Sequence, residues 1–127
     1  MLNYILVGLG GGLGAIARYQ LGRQATHALG VRWPYGTFAA NVLGGLCMGL
    51  LISYLAHRGG ADQERWRLLL GVGVLGGFTT FSAFSLEVAL MIQRREVLSA
   101  AAYGAASVGL SILALFAGLL VARRMFA

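Results

Sequence analysis

The chain has 127 residues, 58% of them hydrophobic and only 11% charged, with a formal net charge of +6 and a mean hydropathy of +0.76. A water-exposed domain of this size carries roughly a quarter charged residues, so the composition excludes a soluble globule, a disordered tail and a coiled coil. What remains is an integral membrane protein with one domain over residues 1–127. The basic residues are ten arginines, set against the acids Asp62, Glu64, Glu87 and Glu96, and the single cysteine, Cys47, has no partner for an internal disulfide or a metal cluster.

Charge-free stretches at 1–17, 33–57, 68–86 and 97–122 mark the crossings. A hydrocarbon core roughly 30 Å thick needs about 20 apolar residues of helix. The expected fold is therefore all-α, with four transmembrane helices at about 2–23, 34–56, 66–93 and 98–122. A membrane barrel would need alternating segments, which are absent here. The first crossing has no basic residue before Arg18, unlike a signal peptide, and reads as a retained helix. It carries glycine pairs four apart, Gly8/Gly12 and Gly10/Gly14; Gly45/Gly49 and Gly73/Gly77 repeat that spacing further on. In lipid, small residues so spaced let helix backbones approach closely. The same segment contains a GxGxxA pattern from Gly10 to Ala15. No strand precedes it and the first acid is Asp62, so it is not a dinucleotide site.

The second crossing carries Thr37 and Asn41 on one face, followed by Gly44, Gly45 and Met48. Asn41 is the costliest neutral side chain in the spans to leave unpaired, and serves either as an interhelical clasp or as a ligand contact. The polar loop 58–67 divides the chain into two hairpins. The third crossing contains Gly76-Gly-Phe-Thr-Thr-Phe-Ser-Ala-Phe-Ser85, where adjacent glycines and β-branched threonines make a poor helix near mid-membrane. A break there frees carbonyls that must find partners in protein or on an ion. Phe81 and Phe84 share one face beside it, and the positive edges of aromatic rings can attract a small anion. Glu87 falls near the end of this crossing, at the membrane surface or beside an arginine. In the fourth crossing Ser99, Tyr103, Ser107 and Ser111 recur every four residues and form one stripe of hydroxyls.

With four crossings, Arg18, Arg23, Arg32, Arg94 and Arg95 lie on one side and Arg58, Arg65, Arg67, Arg123 and Arg124 on the other. Five against five leaves the positive-inside rule without a preference. The expectation is insertion in both orientations and an antiparallel homodimer whose two-fold axis lies in the membrane plane. These arginines flank helices and form no stripe, so no nucleic-acid partner is expected. His27 and His57 lie near helix ends with no nucleophile–base–acid set, which argues against an enzyme.

Three segments carry a resemblance. Gly11-Gly-Leu-Gly-Ala-Ile-Ala-Arg18-Tyr19, Pro34-Tyr-Gly-Thr37 with Asn41, and Gly76 to Ser85 closely resemble the Fluc fluoride channels, the CrcB family, and the likeness runs along essentially the whole chain. It implies a dual-topology antiparallel homodimer in the cell membrane, with two pores that export cytoplasmic fluoride passively and protect the cell from its toxicity. It implies a structural sodium ion at the dimer centre, held by the main-chain carbonyls of Gly76 and Thr79. It also implies that the phenylalanines facing fluoride are Phe81 and Phe84, that the pore asparagine is Asn41, and that Tyr103, Ser107 and Ser111 form a polar track. Thr37 and Thr80 join that pore, and Arg18 stands in a basic vestibule that steers anions inward. Ala83 departs from the family, which commonly has threonine there. Two other classes compete: a small proton-coupled multidrug exporter, which needs a carboxylate in the membrane and here has only Glu87, and a non-transporting assembly subunit built on the glycine faces.

Overall fold

The computed structural model describes residues 1–126, and among these no strand occurs. Helix α1 runs Leu2–Leu29 and stops at Gly30, whose φ of 89° is open to glycine alone at low cost. After Pro34, α2 runs Tyr35–Arg58 and ends at Gly59, at φ 64°. The loop behind it is tied by Arg58, which donates to Asp62 at 3.1 Å, and by the Trp66 indole N–H on the same carboxylate. The Arg58 bond and the Trp66 bond hold the Asp62 carboxyl below its usual range. These groups are exposed, so the loop gains little stability from them.

The third long segment is composite. A turn of α-helix, α3 (Gln63–Trp66), passes into a π-helical stretch, Arg67–Leu75, and then into α4 (Gly76–Phe78). At Thr79 the backbone turns extended (φ −85°, ψ 162°), and α5 resumes over Ser82–Gln93. The expected break therefore exists, but the paired glycines remain helical and the threonines carry the rupture. The π-helix was not foreseen; such stretches interrupt α-helices chiefly at functional places. A tight turn with Arg95 in the left-handed region (φ 62°) leads to α6, Val97–Phe126.

Three segments are long and apolar enough to cross a membrane: Tyr35–Arg58, Gln63–Gln93 and Val97–Phe126. Helix α1, at 28 residues, spans about 42 Å at 1.5 Å per residue. It is long enough to cross, yet six glycines together with Asn3, Arg18 and Arg23 dilute its apolar content.

Glycine sets the packing. A Cβ on Gly10 would run into the Leu69 carbonyl, one on Gly14 into the Val74 carbonyl, and one on Gly77 into the Gly11 carbonyl. This seats α1 directly on the first half of the third segment. Helix α2 lies as closely on α6: a Cβ on Gly45 would stand 2.6 Å from the Ser111 carbonyl oxygen, while Gly49 faces the carbonyl of Leu115 and Gly118 that of Leu46. The Gly8/Gly12 pair behaves differently, with nothing within 4 Å of either position. Accordingly, Gly49→Ala is expected to destabilise the fold by about 2 kcal/mol through overpacking against backbone that cannot yield. Gly12→Ala is expected to be neutral or slightly stabilising. Resistance of the two purified variants to denaturing detergent separates them.

Candidate functional site

The break is held open by side chains that replace the missing helical hydrogen bonds. In a continuous helix the Thr80 N–H would go to the Gly76 carbonyl. Here it goes to the Asn41 Oδ1 at 2.8 Å, and Asn41 Nδ2 in turn donates to the Thr80 carbonyl at 3.0 Å. A side-chain amide thus pairs with both main-chain polar groups of one residue, as a neighbouring strand would. Thr80 Oγ1 accepts from the Ala83 N–H at 3.1 Å and caps the start of α5, while Thr79 Oγ1 donates to the Leu75 carbonyl at 3.0 Å. From α1, Arg18 Nε reaches the Gly77 carbonyl at 3.4 Å. The Gly76 carbonyl, deprived of the Thr80 N–H, is left at an exposed position.

Beside the break runs a groove of about 420 Å³. One wall is the break itself (Thr79, Thr80, Phe81 and Phe84), another is α2 (Asn41, Gly44, Gly45, Met48), and the third is α6 (Ser107, Val108, Ser111, Ile112, Leu115). The Phe81 and Phe84 ring centroids are 5.7 Å apart, and Phe84 lies 5.2 Å from Tyr103, which is fully buried. Trp33 closes this aromatic series, edge-on to Tyr103 at 4.9 Å. Phe81 is 76% exposed, so the groove stands open on that side.

Ser107 and Ser111 line this groove, and their hydroxyl oxygens are buried with no hydrogen-bond partner. Buried polar groups are nearly always paired, and leaving one unpaired costs about 1–3 kcal/mol. Two on one wall amount to a pair of uncommitted donors next to a cavity. Tyr103, the next member of the stripe, is committed elsewhere. Glu87 sits between Thr37, whose hydroxyl donates at 2.6 Å, and Tyr103, whose hydroxyl donates at 3.5 Å. Of the two places foreseen for Glu87, the arginine partner is not the one found among the described residues; α2 and α6 supply the hydroxyls that hold it. A hollow of about 360 Å³ adjoins Glu87 between Thr37, Trp33 and Arg94. A wider one, about 790 Å³, lies by the end of α1 and is lined by Arg18, Arg23 and His27.

Residues 5–119 match the family model described as CrcB-like protein, Camphor Resistance (CrcB). The chain belongs to the CrcB family. It is 70% identical to a protein of Phenylobacterium zucineum named fluoride-specific ion channel FluC, with the whole of both chains aligned. It is 62% identical to the protein of that name from Caulobacter sp. strain K31, over 99% of this chain and 98% of the relative. A protein of Nitrobacter hamburgensis named fluoride-specific ion channel FluC 2 is 50% identical over 98% of this chain and 99% of that one. As a CrcB-family protein with long apolar helices, the chain is a multi-pass protein of the cell membrane.

Within this CrcB-family fold the residues singled out from sequence fall into two groups. Asn41, Thr79, Thr80, Phe81, Phe84, Ser107 and Ser111 line one groove. Thr37 and Tyr103 gather instead around Glu87, and Ser99 lies outside the groove. Arg18 lines the wide hollow and also holds the break. Met48 had been singled out with Asn41, but the rest of the groove's apolar share was missed, namely Leu75, Val108, Ile112 and Leu115. Val108, Ile112 and Leu115 follow the serine stripe at helical spacing. That periodicity could have exposed them.

Proposed function

We propose that the chain is a fluoride-selective ion channel, and not an enzyme, that lets cytoplasmic fluoride leave the cell passively and so limits its toxicity. The reading rests on its relatives being named fluoride-specific ion channels, and above all on one observation: the groove walled by Phe81 and Phe84 is also walled by Ser107 and Ser111, whose buried hydroxyls have no hydrogen-bond partner. Fluoride holds its hydration shell strongly, so a dry passage must replace water with several donors of moderate strength in series. The Ser107 and Ser111 hydroxyls are free to donate. Asn41 uses one N–H on Thr80 and keeps the other. The Phe81 and Phe84 ring edges supply positive charge that attracts an anion without hydrating it. Thr37 and Tyr103 spend their hydroxyl hydrogens on Glu87 and close one end of the track. Arg18, Arg23 and His27 line the outer hollow, where the arginines raise the local anion concentration.

In this reading all four long helices cross the membrane, and the functional unit is an antiparallel homodimer of dual topology containing two pores. The groove of one chain is open where Phe81 is exposed, and a second copy would complete the wall. The break also suits a sodium ion at the dimer centre. A hard cation prefers oxygen ligands, no cluster of three acidic, histidine or cysteine side chains is present among the described residues, and the Gly76 carbonyl has lost the Thr80 N–H. The Gly76 and Thr79 carbonyls of each chain would hold the ion. When bound it supplies a fixed positive charge that ties the two breaks together.

The test is efflux from liposomes containing only this protein, with a potassium ionophore to clamp voltage and no pH gradient. Fluoride is expected to leave rapidly while chloride is retained. Flux only under a proton gradient would replace the channel by a coupled exporter, and no flux at all would leave an assembly subunit.

A further inference from the structure

The rupture in the third segment lies against α2. Asn41 and Gly44 lie three residues apart and share one face of that helix. Asn41 binds the Thr80 N–H and carbonyl. One turn further along, buried Gly44 receives the Thr79 methyl group, so closely that a Cβ there would overlap Thr79 Cγ2, with Phe78 Cδ2 at 3.7 Å on the other side. That methyl cannot swing away freely, because χ1 of Thr79 is pinned by the bond from its own hydroxyl to the Leu75 carbonyl. The backbone is extended at Thr79, which makes the Gly44 contact and directly precedes the residue held by Asn41.

We propose that Asn41 and Gly44 form a two-point socket on α2 that positions the main chain of the break, Gly44 as a steric notch for the Thr79 methyl and Asn41 as a template for the Thr80 peptide. The inference builds on the channel reading for its consequence, since the socket sets where the Thr79 carbonyl and the Phe81 ring stand. Gly44 is in this respect unlike Gly45 and Gly49, which receive the backbone carbonyls of α6. A glycine that merely allows two helices to approach meets main chain and cannot be rescued by trimming a side chain. A notch for one methyl can.

The test is a double-mutant cycle of Gly44→Ala with Thr79→Ser, where serine keeps the hydroxyl on Leu75 and removes the methyl. In the wild-type background Gly44→Ala is expected to lower fluoride efflux about tenfold or more; in the Thr79→Ser background the same change is expected to cost less than about twofold. Hydrogen exchange at the Thr80 amide gives a second readout independent of flux: faster in Gly44→Ala, and returned toward the slow exchange of its parent in the double variant. If Gly44→Ala yields no folded protein, recovery of folded protein in the double variant supports the socket. Equal penalties in both backgrounds, by whichever of these measures, overturn it. Wild-type efflux is the separate control on the channel reading: if it fails while the exchange pattern holds, the socket stands and the function falls.

Discussion

Phe81→Ile and Phe84→Ile are each expected to abolish fluoride efflux from proteoliposomes while the protein still elutes folded, at the position of the wild type. Isoleucine retains apolar bulk and removes the ring, so the positive edge is lost and little else changes. An ion–quadrupole contact in a desolvated site is worth about 2 kcal/mol, by analogy with cations over ring faces. The loss of one such site therefore slows passage by roughly 30-fold or more. Folding should survive because Phe81 is 76% exposed in the single chain, and Phe84 gives up only two tilted ring contacts, with Phe81 at 5.7 Å and with Tyr103 at 5.2 Å. Efflux at the wild-type rate through either folded variant would remove the rings from the pathway.

Asn41→Leu is expected to produce the largest loss of stability among single substitutions at the break. Leucine fills a similar volume and strips both hydrogen bonds from Thr80, leaving a peptide N–H and a carbonyl without partners beside an apolar groove. Each orphaned group costs about 1–3 kcal/mol, so the pair should cost about 4 kcal/mol. The midpoint of unfolding in denaturing detergent should fall sharply, or the protein should fail to accumulate. If Asn41→Leu were as stable as the parent, the amide would be a ligand contact with no structural role.

Of the two readings of Asn41 that sequence left open, clasp and ligand contact, the structure shows the clasp. One N–H and the carbonyl oxygen clasp Thr80, and the second N–H remains for the groove. The clasp could not be read from spacing because its partner is a backbone group 39 residues away, and every residue type carries that group. The same holds for Arg18, whose acceptor is the Gly77 carbonyl at a separation of 59 residues. Glycine spacing was a better guide, although it did not discriminate: Gly10/Gly14 and Gly45/Gly49 meet opposing backbone, whereas Gly8/Gly12, with the same interval, meet nothing.

From residues alone came the membrane class, the approximate extent of the helices, the presence of a rupture near Thr79, and the alignment of Ser107 with Ser111. Each of these follows from hydrophobic content or helical period, which are local properties of the chain. Only the tertiary structure decided that Thr37 and Tyr103 turn to Glu87 while the serines stay unpaired, and that Asn41 of α2 binds Thr80 at the break. Those outcomes depend on which of several equally capable groups first comes within about 3 Å of a partner. That choice is made by packing between distant segments and leaves no mark on sequence periodicity.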